Sequence, residues 1–168
     1  DNKSDREVFH EKDSTFNTYV YKSKSRKFIM IVSGSTLSDE YQYLDAGDPE
    51  GDFKIIQPRE RELEYSVSHF KDKFYIRTNL DAKNFRLMET PLNATSKQNW
   101  KEVIEHRDDV LLEGMDVFSD FLVLQERQNG LNQIRIISWN DWSDDHYIDF
   151  GEAAYLAYVS ANPEMDTD

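Results

Sequence analysis

The chain has 168 residues, a formal net charge of −13 at pH 7 and no cysteine. Without cysteine it can form neither a disulfide framework nor a thiolate zinc site, and no apolar run reaches the ~20 residues that a membrane-spanning helix needs. A nucleic-acid partner is also disfavoured, because binding to phosphates requires a basic stripe.

The first residues predict that the chain is part of something longer. It opens on Asp1 rather than on Met, and no basic-then-apolar stretch resembles a signal peptide. We therefore expect a segment excised from a longer, cytoplasmic protein. Residues 1–15 are predicted to end a preceding repeat unit, with its last strand at residues 7–10. No sustained helical stripe follows, which predicts an all-β fold.

Three similar units follow in chain order, and each contains four apolar or aromatic runs. The runs of the first unit, residues 16–60, are 17–21, 27–32, 41–44 and 53–56. Those of the second unit, residues 61–108, are 64–69, 73–76, 84–88 and 100–104. Those of the third unit, residues 109–150, are 112–118, 120–124, 132–136 and 146–148. Residues 151–168 are predicted to begin a following unit, with a strand at 154–159. Residues 101–106 could form either a short outer strand or a helical turn.

The spacing of the units predicts a β-propeller. Phe28, Phe74 and Phe121 begin matching runs and are 46 and 47 residues apart. Four short strands every ~40–50 residues is the period of a propeller blade. The continuous apolar runs 28–32 and 121–124 suit middle strands that are covered on both faces. Because a closed propeller needs about four to eight blades, we expect a fragment of roughly three four-stranded blades from a larger ring.

Two loops support this interpretation. Asn129-Gly130 separates two strand runs, and this dipeptide tolerates the positive φ of a tight hairpin turn. Residues 45–52 form an acidic, turn-rich loop without the alternating ligands of an EF-hand.

Four stretches then resemble a known family. Residues 25–37, 73–91, 108–133 and 161–167 resemble, in order, the oligopeptidase B (protease II) group of the prolyl oligopeptidase family of serine peptidases. The resemblance implies a seven-bladed parent propeller beside an α/β-hydrolase domain. It also implies a Ser-Asp-His triad in that domain and cleavage of short basic peptides after Arg or Lys. The chain matches only propeller blades, so no triad residue can be assigned to it.

The residues that could carry chemistry within the chain have simpler interpretations. The run Ser33-Gly34-Ser35-Thr36 lacks the second Gly of a nucleophile elbow and is predicted to be a turn. The four histidines lack metal-ligand spacing and are predicted to flank strands; they are His10, His69, His106 and His146.

Other candidate residues are equally unspecific. The sequon Asn93-Ala94-Thr95 is read as a coincidence, and the pairs Asp108-Asp109 and Asp144-Asp145 as solvated turns. Carboxylate pairs of a glycosidase remain open, but nothing singles out one pair among 33 acidic residues. The three tryptophans are predicted to cover outer blade edges rather than to form a stacking platform; they are Trp100, Trp139 and Trp142. We expect no catalytic residue, metal or cofactor here.

These observations predict a non-catalytic propeller segment of a peptidase. Its expected roles are to position the peptidase domain of the same parent chain, to exclude large substrates and to contribute acidic walls to an internal cavity. A free-standing propeller that binds a protein partner is the alternative, and a propeller glycosidase is a weaker one. Since truncation exposes apolar faces on the terminal blades, we also expect the isolated segment to self-associate.

Overall fold

The computed structural model describes residues 6–166, and its regular structure is almost entirely β-strand. The twelve strands are β1 Asn17–Lys22, β2 Phe28–Gly34, β3 Asp39–Asp45, β4 Lys54–Gln57, β5 Tyr65–Phe70, β6 Lys73–Thr78, β7 Arg86–Pro91, β8 Lys101–Ile104, β9 Val110–Val117, β10 Phe121–Gln128, β11 Leu131–Ser138 and β12 Asp145–Tyr147. They form three four-stranded sheets, which we call blades 1, 2 and 3 and which contain β1–β4, β5–β8 and β9–β12. The all-β propeller prediction is confirmed. No helix within residues 6–166 is long and apolar enough to cross a membrane.

Each blade is an antiparallel meander in which consecutive strands pair. In blade 3, β10 pairs with β11 from Phe121↔Ser138 to Gln128↔Leu131. The intervening Asn129 and Gly130 have φ of 52° and 81°. Two successive positive φ values match the twist of a tight hairpin, so the turn predicted from this dipeptide is confirmed.

Blades 1 and 2 pack face to face through a shared apolar core. Phe28 of β2 and Phe74 of β6 meet across it, with ring centroids 5.4 Å apart. Blade 1 also contributes Met30, Tyr43 and Ile56, and blade 2 contributes Tyr65, Val67, Ile76, Met88 and Trp100. Burial of one such side chain stabilises a fold by about 1.5–3 kcal/mol.

Blades 2 and 3 pack through a second core. Tyr75 of β6 faces this core, whereas its neighbours Phe74 and Ile76 face blade 1. Both faces of β6 are therefore buried, as continuous apolar strands of a propeller require. Leu122 and Leu124 of β10 are the matching residues from blade 3, and both are fully buried.

Some details differ from the sequence predictions. Residues 7–10 and 154–159 lie outside any strand, so their assignment to neighbouring blades stays a prediction. Residues 101–104 form strand β8, and a short 3-10 turn, Lys97–Asn99, precedes it.

The tryptophans also differ from expectation. Trp100 is 7% exposed and lies in the first core, where its indole Nε1 donates a hydrogen bond to the Thr95 carbonyl at 2.7 Å. Trp139 stacks on Phe70 at 4.6 Å in the second core. These two side chains fill the spaces between blades, and their prediction as outer-edge covers is wrong.

Candidate functional site

A crevice of about 790 Å³ lies where the first strands of all three blades meet. Tyr21 and Lys22 of β1, Val67 and Ser68 of β5, and Asp116 of β9 line it together. In a propeller the first strand of each blade lies nearest the axis. The crevice therefore marks one end of the axial region of this segment.

The turn between β1 and β2 places basic side chains beside the crevice. Arg26 has a φ of 59°, and its backbone N–H donates to the Ser23 carbonyl at 2.7 Å. The Ser23 hydroxyl in turn accepts a 3.0 Å hydrogen bond from the N–H of Phe28. This closed turn holds Lys24 and Arg26 at the crevice wall.

Lys24 connects blade 1 directly to blade 3. Its Nζ lies 2.8 Å from a carboxylate oxygen of Asp116 and 3.3 Å from the centroid of the Phe118 ring. Side-chain exposure is only 16% for Lys24 and 22% for Asp116. A partly desolvated ion pair of this kind is screened less by salt than one on the surface. It fixes the crevice width between blades 1 and 3.

The last described residues form the remaining wall. The Ser119 N–H donates to the Met165 carbonyl at 2.9 Å, and Met165 packs against the second core. Arg26 pairs with Glu164 at 2.9 Å. Asn162 and the two residues beside it therefore lie across the open side of the crevice.

His69 belongs to the inner wall of the crevice. The residue is 6% exposed, and its ring stands edge-on to Phe28 at 4.8 Å. Its Nδ1 lies 2.7 Å from the Ser25 hydroxyl, while Nε2 has no hydrogen-bond partner among the described residues. Burial, with a contribution from Lys27, lowers the histidine pKa to about 4, so the ring is neutral at pH 7.

Within residues 6–166, the contact between Ser25 and His69 lacks the third member of a catalytic arrangement. A nucleophile–base arrangement needs a third group that orients the imidazole through its other nitrogen. Here that nitrogen is Nε2, which is buried and meets no partner among the residues that the structure describes. The arrangement therefore serves packing and turn formation.

The charge of the crevice is opposite to that of the chain. It is lined by three cationic side chains, Lys22, Lys24 and Arg26, and by one carboxylate, Asp116. The expectation of acidic walls concerns the internal cavity of the parent and stays a prediction. A signal existed in the sequence, because residues 22–27 contain four basic residues in a chain with 33 acidic ones.

The other candidate residues are scattered over the described part of the chain. Ser33 is 1% exposed and contacts the Thr18 hydroxyl at 3.2 Å, and the half-buried Ser35 hydroxyl donates to the Ser38 carbonyl at 3.2 Å, so this run forms a turn after β2. His10 lies near Glu7 and His146 near Asp144, both well exposed and far apart in the sequence.

The remaining histidine and the acidic loop have structural environments as well. His106 lies in the β8–β9 connection, and its buried Nε2 has no hydrogen-bond partner between residues 6 and 166. In residues 45–52, the Asp45 carboxylate accepts the Gly47 N–H at 2.8 Å, which closes an ordinary turn. Residues 6–166 contain no group of three or more His, Asp or Glu side chains arranged to hold a metal.

Comparison with known proteins agrees with this architecture. The family described as prolyl oligopeptidase, N-terminal beta-propeller domain, matches residues 1–168. The chain is 41% identical over 162 residues to dipeptidyl aminopeptidase BI of Pseudoxanthomonas mexicana, covering 96% of the chain and 22% of that relative. It is 34% identical over 169 residues to Protease 2 of Moraxella lacunata, covering all of the chain and 24% of that relative.

Solved structures show the same relationship. The chain superimposes with a TM-score of 0.81 on oligopeptidase B from Trypanosoma brucei, solved in a closed form with covalently bound antipain. The sequence identity is 26%, and the match covers 90% of this chain and 22% of that one. The superposition on oligopeptidase B from Leishmania major has a TM-score of 0.72 and 28% sequence identity. It covers 82% of this chain and 19% of that one. The chain thus spans less than a quarter of these structures, and it belongs to the prolyl oligopeptidase family, within the N-terminal β-propeller domain.

Proposed function

We propose that this chain is a non-catalytic part of a serine peptidase that works in the cytoplasm and cleaves short peptides after Arg or Lys. In this proposal an α/β-hydrolase domain elsewhere in the parent chain carries the Ser-Asp-His triad. The propeller positions that domain and excludes large substrates. Membership in the N-terminal propeller domain of the prolyl oligopeptidase family is the observation that carries the proposal.

The packing of the blades supports the proposal that large substrates are excluded. The two inter-blade cores are built from fully or nearly fully buried side chains, so neighbouring blades are held rigidly. The first strands converge on a crevice of about 790 Å³, which can hold a few amino-acid side chains but no folded domain. A passage bounded by such walls admits an extended peptide and rejects a globular protein.

The full-length protein provides the test of size exclusion. We expect its kcat/KM to fall steeply as blocked peptide substrates with one Arg site are lengthened from about 5 to about 50 residues, and to be undetectable on a folded domain with the same site. A serine-directed reagent should abolish cleavage. Equal cleavage of short peptides and folded protein would exclude the gating role.

A second candidate activity is release of dipeptides. It is favoured by the 41% identity to a relative named dipeptidyl aminopeptidase BI, compared with 34% to Protease 2. Matched substrates separate the two activities, because release of a dipeptide from the chain start requires a free amino terminus. Cleavage of an N-acetylated Arg-amide supports internal cleavage, whereas turnover of the unblocked peptide alone supports dipeptide release.

The 168-residue chain itself should be inactive on both substrates. Turnover by the purified chain, at a rate that follows its concentration and survives a second purification step, would show that it carries a catalytic centre of its own.

A further inference from the structure

One end of the axial region is bridged by side chains of two blades that are not neighbours in the chain. Lys24 lies in the turn between β1 and β2, and Asp116 is the second-last residue of β9. Their 2.8 Å ion pair joins blade 1 to blade 3, although all of blade 2 separates them in the sequence. Since the first strand of each blade lies nearest the axis, this pair crosses the axial region rather than a gap between adjacent blades.

The last described residues close the same end from the remaining side. The Ser119 N–H donates to the Met165 carbonyl at 2.9 Å, which fixes this segment to the turn after β9. Glu164 of the same segment pairs with Arg26 of blade 1 at 2.9 Å. Contacts therefore run from blade 1 to blade 3, from blade 3 to this segment, and from the segment back to blade 1. We call this closed circuit the axial latch; it consists of the contacts Lys24–Asp116, Ser119–Met165 and Arg26–Glu164.

The two ion pairs of the axial latch differ in strength. The side chains of Lys24 and Asp116 are 16% and 22% exposed, so this pair is partly withdrawn from solvent. Those of Arg26 and Glu164 are 66% and 62% exposed, and a pair so open to water contributes little. The Lys24–Asp116 pair is therefore the contact whose removal should open the latch.

Both partners of this stronger pair are held in place by further contacts. The Lys24 Nζ lies 3.3 Å from the centroid of the Phe118 ring, and the Asp116 carboxylate accepts the Val117 N–H at 2.8 Å. Partners that are already positioned lose little side-chain entropy on pairing, which favours the closed state. No backbone ladder joins blade 1 to blade 3 within residues 6–166. Apart from the packing of blade 2, these side-chain contacts thus set how far the two turns stand apart.

We propose that the axial latch sets the upper size limit of the peptides that pass this end of the propeller. In its closed state the latch holds the crevice at about 790 Å³. In its open state the turns of blades 1 and 3 separate and admit a bulkier substrate. The inference rests on the proposed function, because the width of a passage matters only if a peptidase domain lies behind it. Lys24 and Asp116 are then positioning residues, which determine substrate size without touching the reacting atoms.

Cleavage by the full-length protein tests the latch through a ratio. The ratio compares kcat/KM on a blocked one-Arg peptide of about 50 residues with kcat/KM on one of about 5 residues. We expect Asp116→Asn and Lys24→Met each to raise it roughly fivefold, which corresponds to the loss of a pair worth about 1 kcal/mol. Lys24→Arg keeps the charge and should keep the wild-type ratio. The double variant Lys24→Met/Asp116→Asn should match either single variant, because the same pair cannot be lost twice.

Glu89→Gln is the matched control. Glu89 pairs with Lys73 at 2.7 Å within the sheet of blade 2, and its side chain is 22% exposed, like that of Asp116. The control therefore removes a similar ion pair that joins no two blades, and it should keep the wild-type ratio. An unchanged ratio in Asp116→Asn, or an equal rise in Glu89→Gln, would overturn the proposal.

Hydrogen exchange on the same full-length proteins reports on the latch without any cleavage. Asp116→Asn should speed exchange of the amides in both connected turns, residues 23–27 and 118–121, by a similar factor of roughly five. Faster exchange in only one of the turns, or in neither, would contradict a latch that couples them. If the wild-type protein cleaves no peptide of any length, the proposed peptidase fails, and the exchange result alone decides on the latch.

Discussion

Glu126 is the most deeply buried charged residue described, with an exposure of 0%. It lies in β10 beside a bulge and accepts hydrogen bonds from Arg107, from Arg135 at 3.5 Å and from the Tyr147 hydroxyl at 2.6 Å. These partners come from the β8–β9 connection and from strands β11 and β12. One carboxylate therefore joins the outer strands of blade 3 to the connection that enters it.

Replacing Glu126 with Ala should destabilise the fold by about 3 kcal/mol, because it leaves the partly buried Arg107 without a counter-charge, whereas Arg135 keeps its ion pair with Asp145. Urea unfolding followed by tryptophan fluorescence measures the loss. Glu102→Ala is the matched control: that carboxylate pairs with Arg86 at 2.9 Å but is 45% exposed, and should cost less than about 1 kcal/mol. Equal losses in both variants would contradict the role of burial.

His69 makes the stability of the chain depend on pH. Burial lowers its pKa in the folded state to about 4, from an ordinary value of 6.5. Between these values the unfolded chain binds more protons than the folded one, so acidification favours unfolding. The contribution of His69 is fully present above pH 6.5 and is lost as the pH falls towards 4.

We expect His69→Gln to flatten the decline in the free energy of unfolding between pH 6.5 and 5. Gln retains a polar group near Ser25 but does not titrate in this range. His146→Gln, at an exposed position on β12, should leave the wild-type slope unchanged. Denaturant titrations at several pH values give the slopes, and parallel lines for all three proteins would show that His69 is not the titrating group.

At the scale of single elements, the β10–β11 hairpin depends on its turn residues. Gly130→Ala should destabilise the fold by about 1 kcal/mol because Gly130 has a φ of 81°. A Cβ at this position meets no atom within 4 Å, so the cost comes from the backbone alone. Asn129→Gly at a φ of 52° is the control and should be nearly neutral. Thermal unfolding of both variants tests this, and a neutral Gly130→Ala would show that the turn tolerates any residue.

The strands were largely predictable from the sequence, because each blade buries the middle of its strands and therefore repeats the same pattern of apolar runs. All twelve predicted runs overlap strands of the structure. The three phenylalanines used to measure the repeat spacing, Phe28, Phe74 and Phe121, were misleading in one respect. Strands β2 and β10 begin at Phe28 and Phe121, whereas β6 begins at Lys73, one residue before Phe74. A shift of one residue turns a side chain to the opposite face of the sheet.

That shift explains where the three phenylalanines point. Phe28 faces blade 2 and Phe74 faces blade 1, so the two meet in the same core. Phe121 faces away from blade 2 and is 37% exposed, while its neighbour Leu122 is buried against blade 2. The spacing of one residue type predicts the number of blades. Which face of the sheet each side chain occupies depends on where its strand begins.

The crevice was not predicted, for a physical reason. Its Lys24–Asp116 pair joins residues 92 positions apart and depends on how three blades are arranged around an axis. The sequence reports which residues are basic and which strand they follow, but not that three strand ends converge. A cluster of basic residues in an acidic chain is the one local indication of the site.

At the scale of the whole segment, blade 1 presents an apolar face that no described residue covers fully. Val20 is 70% exposed and Tyr19 is 64% exposed. Together with Ile29, Ile31 and Leu44 they border an apolar groove against residues 8 and 9. An exposed sheet face of this kind favours association.

The isolated chain should therefore form dimers or larger species as its concentration rises, and more strongly at high salt, because the charge of −13 opposes contact between copies. Val20→Asp should reduce association. Leu156→Asp, at a 78% exposed position outside the strands, should leave it unchanged. Size-exclusion chromatography with light scattering gives the masses, and a monomer at every concentration and salt level would refute this expectation.

The separation of the blades also bears on how the chain folds. Within residues 6–166, every strand ladder joins neighbours in one contiguous stretch: 17–57, 65–104 or 110–147. Backbone contacts between blades are isolated bonds, such as Asp39 N–H to the Leu63 carbonyl at 3.2 Å. Local pairing closes short loops, so its entropic cost is low and folding is fast for a β protein.

Each blade can then form on its own stretch of chain and dock its apolar face onto the next one, as repeats do in linear arrays. In the isolated 168-residue chain, blade 2 gains from two such docking events, whereas blades 1 and 3 gain from one. Local opening should accordingly begin at the terminal blades, and the amide protons of β6, which is enclosed on both sides, should exchange last with solvent.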